Sequence, residues 1–202
     1  MPEAVQSIGY YEGVLDIYYA LMKTEDATAA APDYDPFKLL AKSIEVTITP
    51  RFREGTLYAS NSAVRREKRI EGYDVSLNVD QVPASERAVL TGRHTDSNGV
   101  QIVKGKQNAP HVAIAFAQTK DNDAQELWCI YKGKFSESEK TAKTRGENIE
   151  YQTPTLEGKF DRRIFDDNLA AIVDSDDPSV PAEVISGWFA SVYEETNTPG
   201  GE

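Results

Sequence analysis

The stretch NAPHVAIAFAQTKDNDAQELWCIYKGKF, residues 108–135, decides the fold class. In its first half Val112, Ile114 and Phe116 alternate with Ala113, Ala115 and Ala117, the period-two pattern of a strand. The alanine face leaves room for another layer to approach closely. In the second half Trp128 and Ile130 oppose Leu127, Cys129 and Tyr131, so both faces are apolar, as in a central strand. Between the halves, Asp121-Asn122-Asp123 supplies turn chemistry, and the two strands are predicted to form a hairpin.

Further strands flank this hairpin. Leu15, Ile17, Tyr19 and Leu21 alternate with polar or small residues, as do Ile44, Val46 and Ile48, and then Tyr73, Val75, Leu77 and Val79. In GENIEYQTPTLEGKF, residues 146–160, the apolar parity changes at Pro154, which predicts a long strand bent there by a bulge. A helix is predicted over residues 83–91, with Glu86 in its first turn and Gly92 as its stop. A second is predicted over residues 181–193, its packing stripe formed by Ile185, Trp188, Phe189 and Val192. Seven or eight strands and two short helices predict a mainly β (α+β) fold, a β-sandwich or partly rolled antiparallel sheet with a flanking helix.

At 202 residues the chain is expected to be a single domain, with flexible termini at about residues 1–12 and 194–202. The 22 basic against 33 acidic residues give a net charge of −11, which argues against gripping nucleic acid or docking on an anionic membrane. One cysteine, Cys129, excludes an internal disulfide and fits a reducing compartment. Residues 50–72, PRFREGTLYASNSAVRREKRIEG, run against this balance. They hold Arg51, Arg53, Arg65, Arg66, Lys68 and Arg69 against three glutamates, net +3, leaving −14 for the rest. A basic projecting arm on an acidic body suits docking against another copy of that body; a hairpin whose charges only keep it soluble is the plainer reading. From composition alone the two weigh about equally.

No enzyme is expected. His94 and His111 stand in no metal-ligand spacing with Cys129, and Cys129 sits mid-strand, where a buried small hydrophobe is the ordinary reading. The run DSDDP, residues 174–178, lacks the alternation and distant glutamate of a calcium loop and reads as a turn before the last helix. No cofactor or metal is expected.

Several blocks together resemble the phi13-type major tail protein family of long, non-contractile-tailed bacteriophages. They are TLYAS (residues 56–60), VSLNVDQVPASERAVLTGRHTDSNGV (75–100), the opening stretch at 108–135, TRGENIEYQTPTLEGKF (144–160) and the closing Trp188-Phe189. The resemblance implies a tail tube subunit: a virion protein made and assembled in the host bacterial cytoplasm. It implies hexameric rings stacked into a hollow tube through which double-stranded DNA passes without specific binding. It further implies partners in the tape measure, tail terminator and baseplate or initiator proteins. Residues 50–72 match the family's long inter-strand loop, which makes Arg51, Phe52, Arg53, Leu57, Tyr58, Arg65, Arg66, Lys68 and Arg69 the expected inter-subunit or inter-ring contacts. The alternatives are a monomeric β-sandwich binding module, with Tyr10, Tyr11, Tyr18 and Tyr19 as a sugar platform, or a terminator or baseplate ring.

Overall fold

The computed structural model describes residues 9–59, 62–144 and 151–195, with side chains at all of these except 56–59 and 62–66. The strands are β1 (Tyr11–Val14), β2 (Ile17–Leu21), β3 (Lys38–Ala41), β4 (Ser43–Ala59), β5 (Ser62–Val79), β6 (His94–Thr95), β7 (Gln101–Ile102), β8 (Val112–Lys120), β9 (Gln125–Ser136), β10 (Thr155–Asp161) and β11 (Ala170–Asp174). The helices are α1 (Ala84–Thr91) and α2 (Ala182–Gly187). Among the described residues nine strands form one antiparallel sheet: seven follow the order β3-β2-β8-β9-β10-β5-β4, β1 also pairs with β8 and β11 with β9, while β6 and β7 pair separately.

The predicted hairpin is the centre of this sheet. β8 and β9 pair from Val112↔Gly133 to Thr119↔Gln125, around a turn in which Asp123 takes the left-handed conformation. β1 and β2 lie in tandem along β8, and β10 and β11 lie in tandem along β9. The sheet rolls far enough that β1 and β4, from opposite regions of the strand order, approach within 8 Å between Cα atoms. The roll encloses Ile17, Tyr19, Val75, Leu77, Val79, Ile114, Phe116, Ile130, Leu156 and Phe160. Helix α1 closes this core with Leu90 and Ala88, and the Tyr19 hydroxyl donates a hydrogen bond to Glu86. Gly92 ends α1 at φ 71°, where a Cβ would lie 2.5 Å from the Ala109 nitrogen.

The other face of the central strands carries a second apolar cluster. Ala20, Ala113 and Ala117 let the C-terminal segment approach, and Trp188 and Val192 pack there with Leu127, Cys129 and Tyr131. Ile185 and Phe189, partly buried, pack against the same cluster. Arg163 anchors this layer: its fully buried guanidinium lies 4.1 Å from the centre of the Tyr131 ring and grips Asp166 and Glu194.

Several expectations are corrected. Helix α2 covers six residues rather than 181–193, because Gly187 weakens the helix and Trp188 to Ala190 turn along the sheet. Pro154 bends no long strand: β10 starts one residue later, residues 151–154 are irregular, and the Pro154 carbonyl accepts a hydrogen bond from the Val79 N–H at 3.2 Å. Lacking an N–H, the proline ends the ladder instead of continuing it through a bulge. Residues 145–150, in the same expected strand, lie outside the described residues. Ile44 does not share a face with Val46 and Ile48; a register shift between Ser43 and Glu45 leaves it 51% exposed. Two supposedly flexible ends are partly tied down, since the Tyr10 N–H bonds Asp121, β1 begins at Tyr11, and Arg163 holds Glu194. Residues 1–8 and 196–202 lie outside the described residues.

Candidate assembly surface

The basic segment is a two-stranded ribbon made by the far halves of β4 and β5. From Gly72 to Asn78, β5 pairs with both β4 and β10; from Ser62 to Ile70 it pairs with β4 alone. The nine β4 residues from Arg51 to Ala59, at about 3.3 Å each, give a ribbon about 30 Å long. An inter-strand arm was legible in the composition; its continuous pairing was not.

Arg51 sits at the root of the ribbon and turns back into the body. Its Nη2 donates to the Phe160 carbonyl at 3.1 Å and to Asp161 Oδ1 at 2.5 Å, while its Nε lies 3.1 Å from Asp74 Oδ1. Opposite it, a Cβ on Gly72 would lie 2.2 Å from the Phe160 oxygen and 2.4 Å from Arg51 Nη2, so only glycine fits. The pairing jumps here from Arg51↔Gly72 to Phe52↔Ile70, which leaves Glu71 as an extra residue and re-aims the strands. Arg51 therefore belongs to the base of the arm, with its guanidinium engaged within the chain.

Beyond the root, alternation sorts the side chains onto two faces. Phe52, Ile70, Glu54 and Lys68 share one face, where Phe52 is 45% and Ile70 41% exposed. The Lys68 ammonium lies 4.0 Å from the centre of the Phe52 ring and 3.4 Å from Glu54. On the other face Arg53 stands directly opposite Arg69. Their repulsion is relieved by Glu71, 3.5 Å from Arg53, and Glu67, 3.6 Å from Arg69. With side-chain exposures of 80% and 74%, the two arginines make pairs worth only about 0–1 kcal/mol each, so both remain available to another anion. Leu57 pairs with Arg65, Thr56 with Arg66 and Tyr58 with Ala63 in the backbone ladder; the side chains of Leu57, Tyr58, Arg65 and Arg66 lie outside those described.

The ribbon shares β4 with the edge of the sheet. β4 is the outermost strand at one end of the strand order, and β3, only four residues long, is outermost at the other. A 17-residue edge strand presents a row of backbone donors and acceptors suited to pairing with another chain. The four tyrosines make no common platform: Tyr19 is in the core, Tyr18 meets Phe189 at a tilt with ring centres 4.7 Å apart on the opposite face of β2, and Tyr10 and Tyr11 stand exposed beyond. The acids at Asp174 and Asp176 converge on buried Lys120, which accounts for their clustering. Burial pushes the Cys129 thiol up to about 12, leaving it protonated and unreactive at neutral pH. Among the described residues, no helix is long and apolar enough to cross a membrane.

No curated protein matches the chain in a sequence search. A family model described as phage tail tube protein does, over residues 48–182, which takes in the whole of the arm, α1, the central hairpin and β10 and β11. That match covers about two thirds of the sequence, and the rolled antiparallel sheet agrees with it. This chain belongs to the phage tail tube protein family, as a structural component of the virion that assembles into a tube.

Proposed function

We propose that the chain is the phi13-type major tail subunit of a long, non-contractile-tailed phage. Six copies form a ring, and rings stack head to tail into the conduit through which DNA leaves the capsid. Closure by rotation gives the finite ring, and a head-to-tail contact that does not close gives the filament. The tape measure, tail terminator and baseplate or initiator proteins meet the tube inside or at its ends, and the subunit is made in the host cytoplasm. The observation that carries this reading is the basic ribbon, the outward continuation of a 17-residue edge strand on a body of charge −14. Backbone edges can pair around the ring, and the ribbon's arginines can reach an acidic neighbour. A conduit whose body is acidic repels phosphates within about 10 Å at 0.1 M salt, so DNA passes without adhering.

Electron microscopy of purified protein, fresh and after concentration, tests the reading. Hollow tubes of uniform width are expected from the wild type. The triple reversal Arg65→Glu, Arg66→Glu, Arg69→Glu should leave a monomer with unchanged circular dichroism and no tubes. Normal tubes from that variant would refute electrostatic docking by the arm. Closed rings that never lengthen, even with initiator complexes added, would assign the chain to a terminator or baseplate ring instead.

A further inference from the structure

We propose that Arg51 sets the angle at which the arm leaves the body, making the ribbon a lever of fixed direction. This rests on the tail-tube reading for its purpose, and on the geometry of the root for its substance. Beyond Gly72 the ribbon has lost β10 as a third strand, and an isolated two-stranded ribbon is poorly stiffened. Its direction must therefore be fixed where it leaves the sheet. Arg51, on β4, ties together Asp74 on β5 and Phe160 and Asp161 at the end of β10, the three strands that meet at that point. Gly72 allows the close approach, because any Cβ would displace the guanidinium.

The arm stands off the body across two openings. Arg162, held by Asp167 at 2.5 Å, faces Arg53 and Arg69 across a cleft of about 300 Å³. A second opening of about 570 Å³ separates Arg69 and Ile70 from Ala170 and Ile172 on β11. Glu54, Glu67 and Glu71 line the same cleft and balance its three guanidinium groups, so its charges set no direction and the Arg51 clamp does. The lever amplifies the root: over about 30 Å, a swing of about 10° moves the tip about 5 Å. That distance exceeds the reach of a hydrogen bond, so a swinging arm would meet its neighbour out of register.

Spin labels separate this from a general effect on stability. Gly55→Cys on the arm has nothing within 4 Å of its Cβ, Glu157→Cys on β10 is exposed, and buried Cys129 does not compete for label. Pulsed electron spin resonance on the doubly labelled monomer should give a narrow distance distribution. Adding Arg51→Ala should broaden it about twofold, and in the unlabelled protein should raise the critical concentration for tube growth about tenfold, through lost preorganisation. Asp161→Asn, which weakens only an exposed partner, should give an intermediate width and keeps the test open if Arg51→Ala does not fold. An unchanged width in the folded variants would overturn the proposal. Wild-type protein that never forms tubes would instead defeat the tail-tube reading, while the label distances would still judge the clamp.

Discussion

Arg163 offers the sharpest test of what holds the C-terminal layer to the sheet. Its guanidinium bonds Glu194 at 2.6 and 2.9 Å, bonds Asp166 through two further contacts, and lies over the Tyr131 ring. Arg163→Met keeps much of the length but removes the charge. Breaking a buried ion pair by losing one partner costs about 3–5 kcal/mol. The lower figure applies here, because Asp166 retains the Asn168 N–H at 3.1 Å and its amide at 2.9 Å, and the Glu194 side chain is 42% exposed. About 3 kcal/mol in a chain of this size lowers Tm by about 6–12 °C. Glu194→Gln keeps a neutral acceptor at a half-exposed site and should cost only about 1 kcal/mol. Urea unfolding followed by tryptophan fluorescence measures both, with Trp188 in the layer at issue. Acid titration supplies a second readout. Burial pushes the Asp166 carboxyl up, but hydrogen bonds from Arg163 and Asn168 outweigh it and hold the group below its ordinary value. The folded value lies below the unfolded one, so this stabilisation is complete above the carboxylate range and is lost as pH falls through the folded value. Arg163→Met should shrink that acid-induced loss. A cost under about 1 kcal/mol, or equal costs for the two variants, would refute the assignment of Arg163 as the anchor.

Two further outcomes follow from the core. Gly133→Ala would place a Cβ 2.2 Å from the Phe160 ring, which already meets Phe135 edge-on at 5.8 Å, and should cost about 1–3 kcal/mol by thermal unfolding. Cys129 should resist a thiol reagent at pH 8 in the native protein and react at the rate of global opening, whereas rapid native labelling would contradict its burial.

The parts legible in the sequence were those with two faces of apolar pattern and a short turn. Residues 112–135 announced a central hairpin because VAIAFA and LWCIY carry their environment in their own alternation. Glu86 and Gly92 marked α1 in the same local way. β11, AAIVD, was missed because five residues of small and apolar type follow no clear alternation, and only pairing with β9 makes them a strand. The ribbon's charge was evident, but its pairing was hidden because both faces of a peeled-off hairpin are wet and no apolar period is required. The place of Arg51 at the root of the arm was hidden for a related reason. Its partners Phe160 and Asp161 lie 109 and 110 residues further along, so nothing adjacent distinguishes it from Arg53. Ile44 shows the limit of parity, since one register shift turned a core position outward.

The tandem placement of β1 and β2 along β8 imposes a timetable on synthesis. β1 and β2 emerge roughly a hundred residues before β8, the strand they share, whereas β8 and β9 close a turn of four. β2 can pair early with β3, but β1 and the other edge of β2 must wait until the middle of the chain has emerged and its hairpin has closed. Only then can the outer ladders zip onto both sides of it. In a cell filling with identical chains, that waiting interval is when a strand is most exposed to the wrong copy. The early β1–β3 region meets it with strands of only four or five residues, interrupted by Asp16 and by the proline- and aspartate-containing link at 24–37. The 17-residue edge strand comes later and has its own partner immediately behind it.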